Sequence, residues 1–386
     1  MLDFSIPTRI VFGPDSVDRV GSLAGELGAL RVFLVTDPGI VGAGHVERVE
    51  RALIRSKLQV RRFDRVRENP TTRDVEACLE ALGDWDPELL VGLGGGSSID
   101  VAKGMNFLRA SGGEMKDYQG FGKARGSLLP LIAIPTTAGT GSEMQSFALI
   151  AEEDTHQKMA CGDPRAAART AILDPTLTAT QPRFVTACTG LDTLGHAVET
   201  AVTRKRSAVS RLFSTEAFVL AEANLPRVLE DPADLDARGR MQLAAAYGGI
   251  AIENSMLGAA HSMANPLTAH YDIAHGQAVA MMLPGVVRYN AEEPSVAALY
   301  AELARRARLS AGSSPDAEAV DNLLARITEL LETAGIDACL PACGVPQTAL
   351  ESLAAEASRQ WTAAFNPREV SEADFQGLFE AAFRQP

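Results

Sequence analysis

Long apolar runs are the first thing this chain lacks. No stretch approaches the roughly 18 consecutive apolar residues that suggest a membrane-spanning helix, so none is expected. Positive charge is also short: 36 Lys and Arg stand against 49 Asp and Glu, a formal net charge of −13. Nucleic acids and anionic membranes attract basic patches, so neither is expected as a partner. The opening M-L-D-F-S-I-P-T-R-I-V-F-G has no basic start, apolar core and small-residue cleavage site. It reads as a first strand rather than a secretory signal, and the cytoplasm is the expected compartment. Cysteine is sparse and unpatterned: Cys78, Cys161, Cys188, Cys339 and Cys343 are odd in number and contain no C-x-x-C. That reads as free thiols in a reducing environment, not a disulfide scaffold. No internal repeat or low-complexity tract stands out.

What is present is length and apolar content. At 386 residues, 46% hydrophobic and 22% charged, the chain is a globular protein with two domains as the natural division. Residues 1–182 alternate β-rich and helical runs. Strands are expected at 31–36, 60–66, 88–93 and 128–134, with helices at 45–57 and from near Ile99. Such alternation predicts an α/β domain with a mostly parallel sheet. From 183 to 386, Ala-, Leu- and Glu-rich stretches at 207–229, 238–253, 295–307 and 317–333 predict an all-α domain. Pro226 and Pro232 read as loop punctuation.

Two places carry chemistry. Glu88–Leu93 runs straight into Gly94-Gly95-Gly96-Ser97-Ser98 and then a helix. A close-approach glycine turn at a helix N-terminus suits a pyrophosphate, although the same turn can be purely structural. A second Gly/Thr loop, Pro135–Glu143, also follows a strand, and ligands of parallel sheets lie beyond the strands' carboxyl ends. Asp37 closes an earlier strand. A carboxylate there suits the ribose hydroxyls of NAD and repels the extra phosphate of NADP, unless Asp-Pro-Gly is simply a turn. In the second half, Asp192 and His196 stand four apart, hence on one helix face, and His261 and His275 follow within the segment 257–276. One carboxylate and three imidazoles suit Fe²⁺ or Zn²⁺. Glu199 lies two turns beyond Asp192, as a partner of the site or as a solvated charge.

These motifs, in this order, resemble the iron-containing (group III) alcohol dehydrogenases of the dehydroquinate synthase-like fold. The resemblance rests on F-S-I-P-T-R-I-V-F-G, G-G-G-S-S-I-D-V-A-K at 94–103 and P-T-T-A-G-T-G-S-E at 135–143. It continues through Asp174-Pro175, G-L-D-T-L-G-H-A-V-E at 190–199, His261 to His275-Gly276, and Asn366-Pro367-Arg368. It implies a dinucleotide-binding domain, a helical domain and an active site in the cleft between them. It implies metal ligation by Asp192, His196, His261 and His275. It implies cofactor contacts from Asp37, Asn69, Gly95, Gly96, Ser97, Asp100, Thr136, Thr137, Thr140 and Lys158. The expected reaction is reversible hydride transfer between a small alcohol or aldehyde and NAD, with Fe²⁺ (or Zn²⁺) as metal, in a homodimer or larger homo-oligomer. A lyase of the dehydroquinate synthase type and a metal hydrolase are the alternatives. The chain departs from the pattern at Asn265, where well-known relatives carry a histidine thought to move protons. Asn does not titrate, so His270, or water with the cofactor ribose, is the expected substitute.

Overall fold

The computed structural model describes residues 4–155, 157–336 and 339–384. The chain forms two compact units, one of Ile6–Gln181 and the other of Met1–Ser5 with Pro182–Pro386. Residues 1–3 of the expected first strand lie outside the described residues, and the strand itself begins at Arg9.

The first unit contains β1 (Arg9–Phe12), β2 (Arg31–Val35), β3 (Gln59–Phe63), β4 (Leu89–Gly94), β5 (Gly120–Phe121), β6 (Leu131–Pro135), β7 (Phe147–Ala151), β8 (Lys158–Gly162) and β9 (Thr170–Leu173). Six of them form a sheet in the order β1-β9-β6-β4-β2-β3, and every pair is parallel. β4 and β6 are buried at every residue, as a sheet covered on both faces requires. The two faces sort by strand alternation: Phe33 and Val35 of β2 enter one core cluster, Val32 and Leu34 the other. β5, β8 and β7 make a separate small sheet.

Local chemistry sets the element ends. The helix expected at 45–57 is His45–Arg55, and Lys57 beyond it takes a positive φ of 63°. The strand expected at 60–66 stops at Phe63, although the Val66 amide still donates to the Thr36 carbonyl. The helix after β4 starts at Gly96, not near Ile99, because Gly95 is an extended cap and the two serines form the first turn.

The second unit is helical, with no strand among its described residues. Its central helix, Arg183–Thr200, is buried at every position from Gly190 to Thr200. A helix enclosed on all sides carries no one-sided apolar stripe. Pro226 lies inside the Ala208–Glu230 helix rather than in a loop. A proline there leaves the carbonyl four residues earlier without its helical donor. Arg326 supplies the replacement, donating from Nη2 to the Glu222 carbonyl at 2.9 Å.

Candidate active-site residues

In the first unit, parallel register brings the carboxyl ends of β2, β4 and β6 to one edge. The Thr136 amide donates to the Gly94 carbonyl at 2.9 Å, so the two Gly-rich loops are tied where they leave the sheet. A Cβ on Gly96 would meet Thr140 Oγ1 at 2.7 Å, and one on Gly95 would meet Thr137 Cγ2 at 3.5 Å. Ser97 opens the helix beside them. Asp37 joins the group from β2: its Oδ1 accepts from the Ile40 amide at 3.1 Å, capping a short helix. Its Oδ2 accepts from Ser98 Oγ at 3.2 Å.

Asn69 and Lys158 are linked through β7. Asn69 takes a positive φ of 49°, which turns the chain before Pro70. The Pro70 carbonyl accepts from the Ala151 amide at 2.9 Å, and Ala151 is the register partner of Lys158. Asp100 is buried rather than presented at the surface of the loop; its Oδ2 accepts from the Leu149 amide at 3.3 Å. One turn on, Lys103 is fully buried. Its ammonium donates to the carbonyls of Ser142, Gln145 and Phe147 at 2.7, 2.8 and 2.8 Å, which pins the second loop to the helix. Burial pushes the Glu143 carboxyl up to about 7 and that of Asp100 up to about 6. The sequence pattern gives no role to Lys103 or Glu143; their partners lie some 40 residues away.

On the metal side, Asp192 and His196 share a face of the central helix. His196 Nε2 and His261 Nε2 each lie 3.4 Å from Asp192 Oδ1, and His275 Nε2 lies 3.9 Å from it. The His196 and His261 rings stack with centroids 4.9 Å apart. Ligand atoms of Asp192, His261 and His275 fall within 4.8 Å of one another. Gly276 permits this convergence: a Cβ there would lie 1.9 Å from the Cys188 carbonyl oxygen, so only glycine lets the His275–Ala291 helix start against the central one.

Asp192 Oδ1 and His261 Nε2 are buried and make no hydrogen bond. Leaving such atoms unanswered is costly, and a divalent cation answers an oxygen and imidazole nitrogens together. The donor set therefore fits a metal. Burial opposes ionisation of Asp192, but His196, His261 and His275 outweigh it and hold the carboxyl well below the usual range. Burial likewise pushes His261 down, while Glu199 and Asp192 outweigh it and raise the imidazole to about 9. Glu199 is no solvated charge: it is buried, and its Oε2 accepts from His261 Nδ1 at 2.6 Å.

His270 does not join this cluster. It lies nine residues beyond His261 on one helix, about 13 Å along the axis, and its half-exposed ring pairs with Glu356 at 2.9 Å. Asn265 is buried and donates from Nδ2 to Gln360 Oε1 at 3.0 Å.

A parallel α/β unit followed by a helical unit with one Asp and three His drawn together is the frame of a metal- and nucleotide-dependent oxidoreductase. The family model for iron-containing alcohol dehydrogenase matches residues 7–175, and that for the C-terminal region of the Fe-containing alcohol dehydrogenase family matches 186–383. Alcohol dehydrogenase 4 of Schizosaccharomyces pombe is 33% identical, with 98% of this chain and 88% of that protein covered. The 1,3-propanediol dehydrogenase of Klebsiella pneumoniae is 32% identical over 99% of both chains. Among solved structures, a 1,3-propanediol oxidoreductase superposes with a TM-score of 0.95 at 31% identity, covering 99% of this chain and 100% of that one. The chain belongs to the iron-containing alcohol dehydrogenase family. It is an oxidoreductase of that family, whose members use a metal and NAD. No helix among the described residues is long and apolar enough to cross a membrane.

Proposed function

We propose that this enzyme interconverts a small alcohol and its aldehyde or ketone with NAD, using one Fe²⁺ held by Asp192, His196, His261 and His275; Zn²⁺ suits the same donors. The observation that carries this reading is that nitrogens of His196, His261 and His275 each lie within 3.9 Å of Asp192 Oδ1, which is buried and, like His261 Nε2, makes no hydrogen bond. When bound, the metal supplies Lewis-acid polarisation of the substrate oxygen, and NAD supplies the hydride acceptor.

The chain's own residues bind and orient. Amides of Gly95, Gly96 and Ser97 at the helix N-terminus receive the pyrophosphate. Asp37 receives the ribose hydroxyls and disfavours NADP. Thr136, Thr137, Thr140, Asn69 and Lys158 complete the dinucleotide's surroundings, while Asp100 acts from beneath the loop. Proton release goes through solvent: Asn265 has no titratable proton, and His270 is held by Glu356. The substrate is an alcohol or diol, as the names of the alcohol dehydrogenase of Schizosaccharomyces pombe and the 1,3-propanediol dehydrogenase of Klebsiella suggest. With this reading we propose assembly as a homodimer or larger homo-oligomer and a cytoplasmic location. The five cysteines, none of them in a disulfide, agree with the latter.

The test is NADH oxidation at 340 nm across small aldehydes, after anaerobic reconstitution with Fe²⁺ and separately with Zn²⁺, with NADPH in parallel. Metal-dependent turnover preferring NADH is expected. Aldehyde-independent silence with metal and NADH both bound would overturn the reading.

A further inference from the structure

Resting on the metal site proposed above, the geometry points to Glu199 as the positioning residue that sets which nitrogen His261 offers to the ion, and to Asn366 as its partner in fixing that helix. Glu199 sits seven residues after Asp192 on the central helix, fully enclosed. Its two oxygens accept from three donors at the start of the Ala259–Tyr271 helix: the Gly258 amide at 3.1 Å, the Ala260 amide at 2.7 Å and His261 Nδ1 at 2.6 Å. The amide between those two, Ala259, donates to Asn366 Oδ1 at 3.2 Å. Asn366 is itself locked, donating from Nδ2 to Asn290 Oδ1 and to the Arg368 carbonyl, both at 2.7 Å. This gives the Asn-Pro-Arg motif of residues 366–368 a task. A Cβ on Gly258 would lie 2.9 Å from Asn366 Oδ1 and 3.0 Å from Glu199 Oε1, so the two acceptors leave no room for a side chain there.

A carboxylate has no proton to give, so the short contact requires Nδ1–H on His261 as donor. In the neutral ring the lone pair is then on Nε2, the atom that lies 3.4 Å from Asp192 Oδ1. Glu199 thus joins the helix that bears Asp192 and His196 to the helix that bears His261, and presents that ring with its acceptor nitrogen inward. Partners of this kind behind a metal ligand typically contribute 10- to 100-fold in affinity. Glu199→Gln keeps the size and one acceptor oxygen, but its NH₂ can donate to Nδ1 and turn the tautomer around.

The experiment titrates metal-stripped protein with Co²⁺, reading ligand-field absorbance, for wild type, His261→Ala and Glu199→Gln, with thermal unfolding of each stripped protein. Expected are tight binding by wild type, loss in His261→Ala, and a 10- to 100-fold weaker constant in Glu199→Gln. Nitrogen-15 NMR of histidine-labelled, Zn²⁺-loaded wild type supplies a readout independent of any variant's folding, and should show His261 protonated at Nδ1. Co²⁺ binding unaffected by His261→Ala would sink the metal site and this inference with it. Loss in His261→Ala with an unchanged constant in Glu199→Gln, or an Nδ1 without its proton, would overturn the role of Glu199 alone.

Discussion

Lys103 and Asp192 are both buried charges on buried helices, and the chain treats them in opposite ways. Around Lys103 the protein places three carbonyls within 2.8 Å and Asp100 at 3.9 Å. Around Asp192 it supplies three imidazoles at 3.4 to 3.9 Å and leaves Oδ1 with no hydrogen bond. The first arrangement is complete within the protein, which fixes the 135–143 loop against the helix. On the proposed reading an ion completes the second, which links metal binding to stability.

The largest effect expected from this contrast is at Asp192. Asp192→Asn removes the only carboxylate of the cluster and should cost about 10³-fold in kcat/KM, in keeping with several kcal/mol of metal-derived transition-state stabilisation. Its thermal midpoint should no longer respond to added metal. Wild type, by contrast, should gain about 4 kcal/mol at a metal concentration a thousand times Kd. Lys103→Met sharpens the comparison from the other side. Leaving three carbonyls and Asp100 without their cation should cost about 3–5 kcal/mol in denaturant unfolding and raise the KM for NADH. Metal affinity should not change, and a change there would break the separation of the two sites.

Next in size is a pH dependence that Glu143 contributes in the first unit. Glu143 is raised from its ordinary 4.5 to about 7 by burial, so between those values the folded state binds more protons than the unfolded one. Stability should therefore fall as pH rises across that window, by on the order of 3 kcal/mol for the full shift. Glu143→Gln should flatten the slope, as read by urea unfolding at several pH values. The smallest effect is at His270. Its half-exposed pair with Glu356 is worth at most about 1 kcal/mol, and His270→Ala should leave turnover within about twofold of wild type.

How much of this was legible in the sequence depended on distance along the chain. Helix and strand periodicity is local, so the β/α alternation and the long helices near 207–229 and 317–333 stand within a few residues of the observed Ala208–Glu230 and Asp316–Ala334. The strand order β1-β9-β6-β4-β2-β3 is set by crossovers, and nothing local encodes it. The Asp192–His196 spacing shows at four residues because a helix turn is that long. Glu199 was ambiguous because all three of its donors lie some 60 residues away. Pro226 misled for the same reason, since the Arg326 side chain that replaces the lost donor is a hundred residues downstream. Asn366 was visible only as a motif, and its work became apparent once Ala259 and Asn290 were placed around it.

The most direct test of the central claim is an anaerobic titration of metal-stripped protein with Fe²⁺, measuring bound iron and the rate of aldehyde-dependent NADH oxidation on the same samples. The account predicts a rate that climbs in proportion to bound iron and levels off at one ion per chain, with far weaker iron binding and a rate lower by about 10³-fold in Asp192→Asn. Full turnover in the stripped protein, or iron bound with equal affinity by Asp192→Asn, would contradict it.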